Sequence, residues 1–274
     1  MCHPDSGELL ARTPQIRDAW AIYYGRLATD ATGNSRLRTK WESWPASPSL
    51  PHLKQLDEDI SDSEVRVALQ KMKRYKAPGE DGVPVDFSRL LGYHPDQPII
   101  MGDAIVRMTN VMWKSQIIPE MWTKSTIVSI PKKGDMTIMG NYRGISFMSS
   151  VLKILVVIIA QRLSDALEGA SILSPAQGSF RRREECIICQ RRKLREQKTF
   201  LTFVDLKKAH DTVPHEALFG KLNHYGVRGR MSGFIREVYA RSTISVRCSG
   251  GNSPSVRLNR GVRQGCPLSP TLFN

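Results

Sequence analysis

Apolar residues recur at helical spacing in several stretches of the chain. Ser61-Asp62-Ser63-Glu64 can form a capping box, with the Ser61 hydroxyl on the amide of Glu64 and the Glu64 carboxylate reaching back. Val65, Ala68, Leu69 and Met72 follow on one face, which predicts a helix over 62–75, stopped by Lys76-Ala77-Pro78-Gly79. Met101, Ala104, Ile105, Met108 and Met112, after Pro98, predict a second helix that ends before Pro119. The apolar run Val151 to Ala160, interrupted by Lys153, lies in a third, buried helix that Ser149 or Ser150 can cap and that closes at Gly169. Further helices are expected near 13–27, from Pro214 to Tyr225 with Gly226 just beyond, and over 230–240. Ser269-Pro270 reads as the N-cap and first residue of one more.

Elsewhere the period shortens to two. Ser125 to Ile130 is rich in β formers and runs into the basic turn Pro131-Lys132-Lys133-Gly134-Asp135. Two β-rich runs, 242–248 and 254–258, flank Gly250-Gly251-Asn252-Ser253 as a hairpin. Phe200 to Leu206 is almost wholly apolar or β-branched and reads as a buried strand, with Asp205 near its C-terminal end. Helices and strands together give an α/β (α+β) chain. Residues 1–60, with Trp41, Trp44, Pro45, Pro48 and Pro51, read as a lead-in or linker to a domain over 61–274.

With 274 residues, 41% hydrophobic and 24% charged, the composition excludes collagen-like, disordered and disulfide-scaffold proteins. Lys+Arg number 40 against 26 Asp+Glu, a net charge of +14 that favours polyanions, nucleic acid first. Five cysteines make no disulfide framework in so long a chain and suit a reducing compartment. No signal peptide is visible, and the longest apolar run is shorter than the roughly 20 residues of a membrane span. The expected location is intracellular, nuclear or cytoplasmic, not secreted and without a membrane partner; oligomeric state is left open.

Three features carry candidate chemistry. Between Arg181 and Lys198, eight basic residues face three Glu, and Arg181, Arg182, Arg183, Arg191, Arg192 and Lys193 are candidate phosphate contacts, against the plainer reading of a solvated helix face. Asp205 is either a catalytic carboxylate or a side chain that escapes to solvent or caps a turn. Lys207 and Lys208 beside it, Asp211 six residues on and the basic turn upstream favour a Mg²⁺ held against substrate phosphates, and so phosphoryl transfer. Asp211, ahead of Pro214, reads as a turn or helix cap rather than a ligand. Cys186-x2-Cys189 with His210 and His215 imitates a zinc motif, but the 20-residue gap is longer than usual and holds the predicted strand, so no zinc is expected.

Five blocks, in order, resemble the reverse transcriptases of non-LTR (LINE-type) retrotransposons. They are Lys76 to Pro84; Ile130 to Asp135 with Asn141-Tyr142-Arg143-Gly144-Ile145-Ser146; Gln177 to Arg181; Phe203 to Asp211; and Gly261 to Pro270. The lead-in, from Gly7-Glu8-Leu9-Leu10 to Trp20 and Tyr23-Tyr24, resembles the segment that precedes the polymerase domain in those elements. The resemblance implies a right-hand polymerase, with fingers and part of the palm present and the thumb absent, that copies an RNA template from a DNA primer using deoxynucleoside triphosphates and two Mg²⁺ ions. It would make Asp205 the first metal ligand, with the carbonyl of Leu206. Lys132, Lys133 and Arg143 would meet the triphosphate, His210 would lie under the sugar and screen out ribonucleotides, and Gln264 and Gly265 would contact the nucleotide.

The blocks depart from the family in three places. His210 replaces the usual aromatic, Gly144 stands where Pro is common, and Gln177-Gly178 lacks an intervening residue. The family's Tyr-Ala-Asp-Asp block, source of the other metal ligands, is not reached before Asn274, and no Asp or Glu occurs from Val238 onward, where five arginines do. One carboxylate cannot serve two near-octahedral ions, so the chain by itself is expected to be inactive. A non-catalytic nucleic-acid-binding remnant of a mobile element is the alternative. A group II intron maturase-type polymerase is less like the blocks.

Overall fold

The computed structural model describes residues 1–42, 49–86, 100–174, 177–181, 187–198, 200, 202, 204–206 and 208–274. Helix α1 (Thr13–Ala28), with Pro14 in its first turn, buries Ala19, Trp20, Tyr24 and Ala28. The short α2 (Arg38–Trp41) precedes α3 (Asp62–Lys71), α4 (Ile100–Ser115) and α5 (Glu120–Thr123). Strands β1 (Lys124–Pro131) and β2 (Tyr142–Met148) lead into α6 (Ser150–Gly169). Next come α7 (Ile187–Leu194), α8 (His215–His224) and α9 (Gly229–Ala240), then β3 (Thr243–Cys248), β4 (Gly251–Asn252), β5 (Val256–Arg257) and α10 (Ser269–Phe273).

The sheet is mixed, in the order β2-β1-β3-β4, with β5 also on β3. β1 runs antiparallel to β2, from Ser125 opposite Met148 to Pro131 opposite Tyr142, and parallel to β3, from Lys124 opposite Thr243 to Ile127 opposite Val246. The expected hairpin is present as β3 paired antiparallel with β4 and β5. Helix α6 buries nine residues, Leu152, Leu155, Ile159 and Leu163 among them, which is why its pattern is apolar nearly all round. Trp113 of α4 packs against Phe234 of α9 in the same core.

The capping box of α3 forms, with Glu64 N donating to Ser61 Oγ at 3.3 Å and Ser61 N to Glu64 Oε2 at 2.9 Å. Arg162 of α6 joins it, donating through Nε and Nη2 to the two Glu64 oxygens at 2.5 and 2.8 Å. Burial alone would raise the Glu64 carboxyl, but Arg162 and Ser61 bring it below the usual range. The helix stops at Lys71, short of the expected 75: its buried face ends with Met72, and Tyr75 already lies in the left-handed region at φ 56°. α10 also starts differently. Leu268 is its N-cap, without a side-chain bond, and Ser269 is buried with its hydroxyl unpaired among the described residues.

The predicted buried strand at 200–206 is overturned at its described positions. Thr202, Val204, Asp205 and Leu206 lie outside any strand, and Phe200, Val204 and Leu206 are 95%, 78% and 69% exposed. Strand propensity is realised only where a neighbouring ladder receives it. The described strands bond one another, and none of them pairs with this segment.

Candidate functional site

A cleft of about 650 Å³ opens where three parts of the chain converge. One wall is the β1–β2 hairpin. Its connecting turn is closed by Lys132 N donating to Asn141 O at 2.8 Å and by the Asn141 amide donating to Asp135 O at 2.8 Å, which presents Lys132 and Arg143 to the opening. The second wall is the 204–211 segment, with Asp205, Leu206, Lys208, His210 and Asp211. The third is the loop 258–264, zipped to the second by backbone bonds from Gly261 N to Val213 O and from Val262 N to His210 O, both 2.8 Å.

Of the residues expected at a site, Asp205, Leu206, Lys132, Arg143, His210 and Gln264 line this cleft. Lys133 is exposed on the turn and lies outside the lining. Gly265, at φ +101°, makes its close approach to β2 instead: an added Cβ would lie 2.9 Å from Ser146 O. The adjacent bond from Ser146 N to Gln264 O, 2.7 Å, fixes that loop on the strand. The His210 ring stacks on Phe273 with centroids 4.1 Å apart and meets Phe180 edge-on.

Sequence reasoning passed over several lining residues. Arg260 and Arg263 were counted only as cations. Arg263 is 3% exposed; its Nη1 donates to Ser125 Oγ at 2.9 Å and its Nη2 to Val238 O at 2.8 Å and Ser242 Oγ at 2.7 Å, so it pins the loop to β1 and α9. Lys208 donates to the Tyr23 hydroxyl at 2.9 Å from a left-handed backbone, φ 56°. Tyr24 also lines the cleft. Tyr24 belongs to the lead-in stretch that resembles the segment ahead of the polymerase domain, and its helix was expected near 13–27.

Five Lys or Arg (132, 143, 208, 260, 263) face two Asp (205 and 211) around the opening. That excess suits a polyanionic ligand. Burial raises the Asp211 carboxyl above its usual range, opposed by Lys208, His210, Lys132 and Arg260. Asp211 sits in the short 3₁₀ helix Ala209–Thr212, its amide donating to Lys208 O at 2.9 Å.

The profile of the family described as reverse transcriptase (RNA-dependent DNA polymerase) matches residues 130–274, just over half of the chain and most of the cleft lining. The chain belongs to the reverse transcriptase family. It is similar to the uncharacterized 149 kDa protein of transposon TX1 from Xenopus laevis, 27% identical over 98% of the chain and 21% of that protein. It is similar also to the Pol polyprotein of the R2 retrotransposable element of Popillia japonica, 30% identical over 78% of the chain and 29% of that protein. A third relative is the RNA-directed DNA polymerase from the mobile element jockey of Drosophila funebris, 26% identical over 77% of the chain and 23% of that protein. The chain thus spans less than a third of the length of these relatives.

In this reverse transcriptase domain the basic segment divides. Arg181 is taken up internally: Nε and Nη2 meet the Glu168 carboxylate at 2.8 and 2.6 Å, and Nη1 donates to Ser174 O and Gln177 O. It ties the end of α6 to the following loop and is not a free phosphate contact. Arg182 and Arg183 lie outside the described residues. Arg191, Arg192 and Lys193 are exposed on α7, where Arg192 donates to Lys198 O.

Among the described residues no three His, Cys, Asp or Glu gather where they could hold a metal ion. Asp205 fits the part of a single carboxylate meeting a phosphate-bound cation, but the described residues do not form the ligand set of a two-ion site. Of the imitation zinc motif, Cys186 and the Cys189 side chain lie outside the description. His215 is buried, its Nε2 donating to Gly261 O at 2.9 Å. No helix of the described residues is long and apolar enough to cross a membrane.

Proposed function

We propose that the cleft receives the incoming deoxynucleoside triphosphate and the template-primer end of an RNA-directed DNA polymerase, which in the whole protein copies an RNA template from a DNA primer. The observation that carries this reading is the convergence of Lys132, Arg143, Asp205, His210 and Gln264, far apart in sequence, on one electropositive cleft. Lys132 and Arg143 neutralise the triphosphate and hold it in line for attack. His210, backed by Phe273, forms a flat platform for the sugar. Gln264, held to β2 through its carbonyl, offers a directed polar group. Mg²⁺ would supply charge neutralisation at the phosphates when bound, and Asp205 with the Leu206 carbonyl would hold it. Exposed cations of α7 guide the nucleic-acid backbone without reading bases.

Equilibrium binding of dTTP, with Mg²⁺ and an rA template annealed to a dT primer, tests the reading. Lys132→Gln and Arg143→Gln should each weaken binding by about tenfold, the worth of one charge-assisted hydrogen bond. Unchanged affinity in both variants would refute it.

A further inference from the structure

The family match begins at residue 130, yet helix α1, more than a hundred residues earlier, touches all three walls of the cleft. Tyr24 reaches the hairpin: its hydroxyl shares a hydrogen bond of 3.2 Å with Ser129 Oγ. It also covers Gly144, where an added Cβ would lie 2.5 Å from the Tyr24 hydroxyl oxygen and 2.9 Å from Ile127 Cγ2. Tyr23, the neighbouring residue, reaches the Asp205 segment, accepting from Lys208 Nζ at 2.9 Å with its ring centroid 5.5 Å from that ammonium. The end of α1 takes the third wall, because Arg260 Nε donates to Leu27 O at 2.9 Å and Asn259 N to Ala28 O at 3.0 Å.

The two tyrosines are themselves held. Trp20 lies 5.7 Å from Tyr24 in a stacked arrangement and 5.9 Å from Tyr23 edge-on, and it meets Tyr142 of β2 at 5.2 Å. Aromatic packing of this kind leaves each ring one position, so the hydroxyls act as fixed points. Gly144 has ordinary backbone angles, so the constraint there is the lack of room beneath Tyr24.

We infer that α1 is a positioning element of the nucleotide cleft, setting its width by tying Arg143's strand to the Asp205 segment through Tyr24 and Tyr23. This rests on the cleft being the nucleotide site. The Tyr24–Gly144 pair works by size, the Tyr24 hydroxyl and ring edge, with Ile127 Cγ2, filling the volume that a side chain at 144 would occupy. The Tyr23–Lys208 pair works by charge and hydrogen bonding.

The test is dTTP binding on the rA/dT template-primer, read beside the unfolding midpoint of each variant. Gly144→Ala should weaken dTTP by about tenfold or more, and Tyr24→Phe in that background should restore only part of the affinity, because Ile127 Cγ2 and Tyr24 Cε1 remain within 3.0 Å of the new Cβ. Tyr23→Phe, which deletes one atom from a partly exposed ring, should weaken dTTP several-fold with its unfolding midpoint unchanged. If Gly144→Ala does not fold, Tyr23→Phe decides alone. Wild-type affinity in Gly144→Ala and Tyr23→Phe would overturn the inference while leaving the nucleotide site standing. A wild-type chain that binds no dTTP would remove the site and the inference together.

Discussion

His215 at the start of α8 is 1% exposed, and its Nε2–H donates to the Gly261 carbonyl at 2.9 Å. Its other nitrogen is buried with no partner among the described residues, so a second proton would have no acceptor. Burial holds the imidazole down at about 4 from 6.5; the Gly261 bond pulls the other way, and Arg36 and Arg263 add to the depression. The unfolded chain therefore takes up this proton first as pH falls, and the stability held above 6.5 is lost on the way down to about 4. At 1.36 kcal/mol per unit, the full loss is about 3 kcal/mol, of which about 2 kcal/mol is gone by pH 5. Urea unfolding at pH 7.5 and pH 5, comparing wild type with His215→Phe, isolates the effect. The variant sacrifices one hydrogen bond, so it should be weaker at pH 7.5 but lose about 2 kcal/mol less on acidification. An equal acid loss in both proteins would refute the argument and show that the ring is accessible to protons.

Three further outcomes follow from other contacts in the fold. Arg181→Gln should lower stability, because a half-buried ion pair with Glu168 and two carbonyl bonds go with it, yet leave the salt dependence of RNA binding unchanged. Replacing Arg191 and Lys193 together by Gln should flatten the slope of log K against log salt by up to about 0.7 per lost single-strand phosphate contact; filter binding at several salt concentrations reads both. Gly226→Ala should cost more than about 2 kcal/mol by thermal unfolding, because φ is +82° and the new Cβ would lie 2.0 Å from Pro51 O.

Elements whose cause is local were legible from residue order. The Ser61–Glu64 box, the Ser149 cap of α6, and Gly226 at φ +82° beyond α8 each depend on neighbours within a few residues. The β3 hairpin was read for the same reason. Phe200 to Leu206 was misread because its composition reports β preference, whereas a strand also needs a ladder, and no described strand supplies one. Arg181 was misassigned because charge density along a sequence does not reveal that Glu168 lies against one of the arginines.

By itself the sequence determined the family, the α/β class and an excess of positive charge, because block order, periodicity and composition are properties of the chain. Six of the eight residues it offered for the metal and the nucleotide line the cleft. The tertiary structure decided which of them face one another: Lys133 is left on the outside of the turn and Gly265 is turned against β2. It likewise moved α1 from a lead-in to a part of the cleft. Tyr24 and Gly144 are separated by more than a hundred residues, and the fit between an oxygen and the absence of a side chain exists only once packing has brought them together.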